Sequence, residues 1–192
     1  MENGLRARKK AATRLALHEA ALRLAAEQGL DRVTVEAIAD AAEVSRRTFS
    51  NYFSSKEEAL FHTDQVRIRR LLDLVRARPA DEEPWTALTA AGVALISEID
   101  ERDPRWLTQR RLLRAHQSLA AHQAAVYGLL ERDLAGEIVT RLPADEAEPA
   151  LAAGVQAAAF LSVLRSAITY WLDHPDRPLV DLVGQSLGSI RA

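Results

Sequence analysis

The sequence predicts an all-α protein of about nine helices, with a three-helix head followed by a larger helical body. Apolar residues recur at i, i+3 or i+4 and i+7 through most of the chain, β-branched residues never alternate over the length of a strand, and prolines and glycines read as punctuation between periodic stretches. With 192 residues, 48% of them apolar, the chain has ample material for a folded core. Cysteine is absent, which excludes disulfides and thiolate chemistry and fits a reducing, cytoplasmic setting. No apolar signal-peptide core opens the chain, and the longest unbroken apolar run, 157–161, is far short of the ~20 residues of a spanning helix, so no membrane partner is expected.

The first helix is expected over 10–28, with Leu17, Ala21 and Leu24 in one apolar stripe and Gly29 as its terminator. Thr34 is placed to cap a short helix over 35–42, and Ser45 to cap another over 46–52. Ser54, with Glu57 three residues on, has the spacing of a capping box. From there Leu60, Phe61, Ile68, Leu71, Leu72 and Val75 carry one long helix over 56–78, stopped by Pro79. Later breaks, mostly at prolines, delimit helices over 85–100, 104–115, 118–141, 148–172 and 179–190. The acidic turn 79–84 is assigned no role. The division expected is a head over 1–56, including a basic arm over 1–10, and a body over 57–192.

Charge is distributed unevenly between these parts. The net charge is -2, yet residues 1–56 sum to +3 and 57–192 to -5, the asymmetry expected when one end meets phosphate. Two short helices joined by about three residues can insert the second into a major groove. Ile38, Ala39 and Ala42 would lock the pair through Val44, Phe49 and Phe53, leaving Arg46, Arg47, Ser50 and Asn51 outward. Arginine can donate two bonds to guanine and asparagine can pair with adenine, each discriminating by ~1–3 kcal/mol. The same residues are compatible with a solvated surface, or with a head that contacts a protein, so double-stranded DNA is one of two partners left open by pattern alone. The leading segment, with Arg6, Arg8, Lys9 and Lys10, is expected to be a mobile arm, and the pattern leaves open whether it lies along the minor groove or is a tail of no consequence.

The run from Thr34 to Ser45 (TVEAIADAAEVS), followed by Thr48-Phe49, Tyr52-Phe53 and Lys56, resembles the DNA-binding head of the TetR family over residues 13–60. The resemblance implies that Thr34, Ser45, Thr48, Tyr52 and Lys56 hold phosphates while Arg46, Arg47 and Asn51 lie on or beside the base-reading positions. Three residues depart from the family pattern: Glu43 stands at the usual turn glycine, Ser50 at a usual tyrosine, and Ala25 at a usual phenylalanine. Glu43 is expected either to carry a positive φ, at a cost near ~1 kcal/mol, or to alter the turn slightly.

The body holds no nucleophile, metal or phosphate-loop signature, so neither catalysis nor a cofactor is expected, and its scattered histidines suggest no metal. Its small-residue helix and the last helix, through Ala152, Ala159, Phe160, Val163, Leu182 and Val183, could pair with a second copy about a two-fold axis; the resemblance implies the same homodimer. Trp85, Ile96, Trp106, Arg110, His116 and Tyr127 are the candidates for an apolar effector site carrying a few polar groups. Arg110-Arg111-Leu112-Leu113 and Trp171-Leu172 resemble the mycofactocin-type and acyl-CoA-responsive branch of the family, which implies a lipophilic or acyl small-molecule effector. Together these readings imply a ligand-released repressor bound to a pseudo-palindromic operator.

Overall fold

The structure, a computed structural model, describes residues 2–190. Among these residues ten α-helices and one 3-10 turn form, with no strand. They are α1 (Glu2–Gln28), the 3-10 turn (Leu30–Arg32), α2 (Val35–Ala41), α3 (Arg46–Ser50), α4 (Lys56–Leu60), α5 (His62–Arg76), α6 (Pro84–Ser97), α7 (Pro104–Ala115), α8 (Gln117–Val139), α9 (Pro149–Asp173) and α10 (Leu179–Ser189). The all-α expectation is borne out. Two compact units result, one of Met1–Val66 and Arg102–Gln123, the other of Arg67–Glu101 and Ala124–Ala192.

In the first unit, α1 packs on α2, α4 and α7. Its core gathers Leu17, Ala21, Leu30, Ile38, Phe49 and Phe61, all essentially without exposure. Ala25 is buried in the same cluster, which also holds Leu22. In the second unit, α10 lies against α9 and α6. The ring of Phe160 sits over Gly92, where an added Cβ would come within 2.9 Å of it.

Several expected boundaries are corrected. α1 begins at Glu2, so the segment expected to be a mobile arm is helical from there; Leu5, Arg6, Arg8, Lys9, Lys10, Ala11 and Ala12 are all good helix formers. The long helix expected over 56–78 is broken at Phe61, whose φ of -92° and ψ of 7° end α4 before α5 begins. The break leaves carbonyls that side chains satisfy: His18 Nδ1 lies 2.8 Å from Ala59 O, and Gln109 Nε2 donates to Leu60 O at 2.7 Å. The cap of α4 is Ser55 rather than Ser54: Ser55 Oγ accepts from Glu58 N, while Glu58 accepts from both the amide and the hydroxyl of Ser54. Glycine does not serve as punctuation in the body, since Gly92, Gly128, Gly136, Gly154 and Gly184 lie inside helices. The acidic turn is also put to use, with Glu83 capping α6 through the amides of Trp85 and Thr86.

By length and composition α9 is long and apolar enough to cross a bilayer, with mean hydropathy of 1.5 over its most apolar window, which its longest unbroken apolar run understated. Here Ala153, Ala157, Phe160, Val163, Leu164 and Ala167 are buried, and the helix packs against α10 and α6.

Candidate nucleic-acid interface

The interface is built by three short helices, each fixed at its N-terminus by a hydroxyl. Thr34 Oγ1 accepts from Ala37 N at 3.1 Å to start α2, and Ser45 Oγ accepts from Thr48 N at 3.0 Å to start α3. Both caps fall where local sequence chemistry puts them. Between them the turn closes as a Schellman motif: Val44 N donates to Ala39 O at 2.9 Å and Glu43 N to Asp40 O at 3.0 Å. This geometry forces φ to 55° at Glu43, the only positive φ at a non-glycine position among the described residues.

Phe49 and Phe53 are the anchors of α3, buried with ring centroids 5.9 Å apart. Burying this side of a five-residue helix turns Arg46, Arg47, Ser50 and Asn51 into solvent. Arg46 pairs with Glu36 of α2 at 2.9 Å while its side chain stays 72% exposed, so the guanidinium is oriented yet accessible. Such an exposed pair adds little stability. The hydroxyls of Ser45 and Thr48 lie 2.8 Å apart, so one donates to the other and a single O–H is left for an outside acceptor. Thr34 Oγ1 likewise accepts within the protein and keeps its proton to donate outward.

Lys56 is half-buried and works inside the protein: Nζ donates to Leu30 O at 2.9 Å and Val33 O at 3.0 Å, clipping α4 to the 3-10 turn. Two of its three N–H groups are thus taken, which leaves a third able to donate elsewhere. Tyr52 is held by a residue that pattern reading missed. Arg14 donates to Tyr52 O at 3.3 Å and lies 5.8 and 5.6 Å from the ring centroids of Tyr52 and Phe53. The available signal was an arginine on the same face of α1 as Leu17 and Ala21.

Glu58 is a second missed contributor. Burial pushes its carboxyl up, but the amide and hydroxyl of Ser54 and the charge of Arg14 outweigh it and leave the group below its ordinary value. His18 is the third. A carbonyl can only accept, so Nδ1 carries the proton toward Ala59 O, and in the neutral ring Nε2 accepts from Thr63 Oγ1 at 2.8 Å.

The effector candidates are divided between the units. Trp106, Arg110 and His116 belong to the first; Trp85, Ile96 and Tyr127 belong to the second. Arg110 is buried, and its guanidinium bridges both oxygens of the buried Asp64. The Trp85 indole N–H is committed to Leu187 O at 3.2 Å. Of the interface candidates, Phe160 and Val183 are fully buried within the second unit. Ala159, Val163 and Leu182 line an open groove of about 510 Å³ between α9 and α10, together with Ser166, Tyr170 and Ile190. Ala152 is half-buried nearby on α9, whose outer face exposes Leu151 and Val155. No group of three or more potential metal ligands occurs among the described residues.

A short capped helix presented by a buried pair of phenylalanines, two arginines and an asparagine outward, defines the helix-turn-helix class of DNA-binding module. The chain belongs to the TetR family: residues 17–62 match the bacterial regulatory proteins of the tetR family, and residues 82–192 match the MftR C-terminal domain. It is similar to the HTH-type transcriptional regulator TcmR of Streptomyces glaucescens, 40% identical over 96 residues that make up 50% of this chain and 42% of that protein. The SmeT–triclosan complex shares its fold at a TM-score of 0.56 and 21% identity, covering 93% of this chain and 91% of that one. A transcriptional regulator from Rhodococcus sp. Rha1 does so at a TM-score of 0.50 and 22% identity, covering 92% and 95%. The chain therefore joins a DNA-binding head of the tetR regulatory type to an MftR-type C-terminal domain.

Proposed function

We propose that the chain is a repressor that binds a pseudo-palindromic operator as a homodimer and is released by a lipophilic small molecule. The observation that carries this reading is the outward face of α3, where Arg46, Arg47 and Asn51 are exposed beside capping hydroxyls that retain a proton to donate. In this reading Arg46, Arg47 and Asn51 read bases, while Thr34, Ser45, Thr48, Tyr52 and Lys56 hold the backbone, within a head over 1–56 that serves a sensing and pairing body over 57–192. The groove between α9 and α10, flanked by exposed Leu151, Val155 and Tyr170, supports pairing with a second copy. Trp85, Ile96 and Tyr127 in one unit and Trp106, Arg110 and His116 in the other remain the effector-contact candidates; their largely apolar character favours a lipophilic or acyl compound.

Release requires the effector to prefer a head arrangement that fits the operator poorly, and a preference of ~1–3 kcal/mol gives roughly 5- to 150-fold. Within the first unit α7 is placed to transmit it. Gln109 and Arg110 are adjacent, one holding Leu60 O and the other Asp64, on either side of the break at Phe61.

The decisive experiment selects bound sequences from random duplex DNA and then titrates the winner. A pseudo-palindrome with steep salt dependence, weakened by ~1–3 kcal/mol and relaxed at one base pair in Arg47→Ala, is the expected outcome. A folded protein that enriches no sequence would refute the reading. Tryptophan fluorescence titrated with a long-chain fatty acid and its acyl-CoA, in the presence of the operator, then tests the effector class.

A further inference from the structure

The first turns of α1 carry more charge than their packing requires. Residues 4–14 contain five cations, Arg6, Arg8, Lys9, Lys10 and Arg14, and no acid. Every residue from 4 to 12 is exposed, including Leu5, so this stretch extends beyond the core that supports the rest of the helix. Helix propagation from a packed segment costs little once the nucleus exists, which explains why the overhang is helical without support of its own.

Its direction is set by Arg14, whose guanidinium donates to Tyr52 O just past the end of α3. At 100° per residue, Lys10 and Arg6 follow Arg14 at successive i-4 steps and stay within the same sector of the helix, whereas Arg8 and Lys9 point elsewhere. The rise of an α-helix places Lys10 about 6 Å and Arg6 about 12 Å beyond the Tyr52 anchor. The side of α1 that closes on the end of the base-reading helix therefore continues outward as a line of cations.

We propose that this overhang is a rigid phosphate rail: Lys10 and Arg6 engage the backbone of duplex DNA outside the base pairs that α3 reads, extending the footprint without adding base preference. The inference rests on the DNA-binding reading above. It replaces a mobile tail in the minor groove with a helix whose contacts have fixed positions. Backbone contacts supply affinity that is sensitive to salt and carry no sequence information.

The test uses the full chain and its selected duplex, with fluorescence anisotropy between about 50 and 200 mM salt. Each neutralised phosphate contributes about 0.9 to the slope of log K against log salt, so Arg6→Ala combined with Lys10→Ala should reduce the slope by about 1.8 per bound protomer and leave the selected sequence unchanged. Ala7→Pro keeps all the charges but breaks the helix between the two cations. It should remove about 0.9 per protomer, the share of Arg6. Circular dichroism melts of both variants should match that of the parent, because all three positions are exposed. If the parent selects an operator and the double variant keeps the full slope, the rail is wrong while the DNA-binding reading stands. An unchanged slope in Ala7→Pro with a reduced one in the double variant would mean a mobile tail and overturn the rail. If the parent selects no DNA, both proposals fall together.

Discussion

The two compact units are held by different chemistry. The buried polar or charged side chains among the described residues, His18, Asp64, Gln109 and Arg110, all lie in the first unit, and the core of the second is apolar. Hydrogen bonds and ion pairs are directional, so they fix one geometry, whereas apolar packing tolerates many. In the first unit that geometry includes the break at Phe61, which α1 and α7 hold open by binding the carbonyls of Ala59 and Leu60. The polar groups thus stand beside the helices proposed to read DNA, where a defined angle matters most.

Asp64→Ala is the strongest way to challenge this contrast. Removing one partner leaves the Arg110 charge buried, at an expected cost of ~3–5 kcal/mol in denaturant unfolding. Asp64→Leu combined with Arg110→Met should cost far less, because no charge is then stranded. A single-variant loss below about 1 kcal/mol would show that the pair is hydrated and that the first unit is not pinned by polar contacts.

The core of the second unit should answer chiefly to volume. Gly92→Ala places a methyl 2.9 Å from Phe160 Cε2 and 3.0 Å from Cζ, and Phe160 is fully buried and cannot swing away. Overpacking of this kind costs ~1–3 kcal/mol. Adding Phe160→Leu should restore part of the loss, as measured by thermal melting; no recovery would mean that the strain lies in the backbone.

Capping is a smaller term that both units share. Ser55→Ala should destabilise the first unit by about 1 kcal/mol. The Glu58 carboxyl sits below its ordinary value: burial raises it, but the Ser54 hydrogen bonds and the Arg14 charge prevail. A depressed carboxylate contributes stability that is present above its unfolded value and lost as pH falls through the folded one. The melting temperature should therefore drop on acidification below the usual glutamate range, and Glu58→Gln should flatten that drop. In the second unit, Glu83 is also lowered: burial raises it, but hydrogen bonds from Trp85 and Thr86 outweigh that, so Glu83→Gln should flatten the acid limb as well.

What was legible in the sequence follows the range of the forces involved. Thr34, Ser45 and Gly29 act on their own neighbours, and each does what its residue type dictates. Adjacent Ser54 and Ser55 offer two registers for one cap, and only Glu58 reaching back to Ser54 selects between them. The break at Phe61 had no local signal, because its donors come from 41 and 49 residues away. Of the residues proposed for pairing, Phe160 and Val183 point into the core while Ala159 and Leu182 line the groove between α9 and α10, a rotation of the helices that pattern alone does not give. In α1, charge suggested mobility, whereas helix propensity decided the outcome.

Glu43 joins the two halves of this comparison, because a local cost is borne for a geometry the whole head needs. Val44 N must reach Ala39 O for α3 to leave α2 at the right angle, and only a left-handed residue closes that ring. An L side chain there costs ~1–2 kcal/mol. Glycine removes that strain but adds ~0.5–1 kcal/mol of unfolded-chain entropy. Glu43→Gly should therefore stabilise the protein by only about 0.5 kcal/mol, raising the melting temperature slightly without altering operator preference. A lower melting temperature would mean that the Glu43 side chain contributes something its exposed position does not reveal, and a changed operator preference would mean that the turn angle itself is part of base reading.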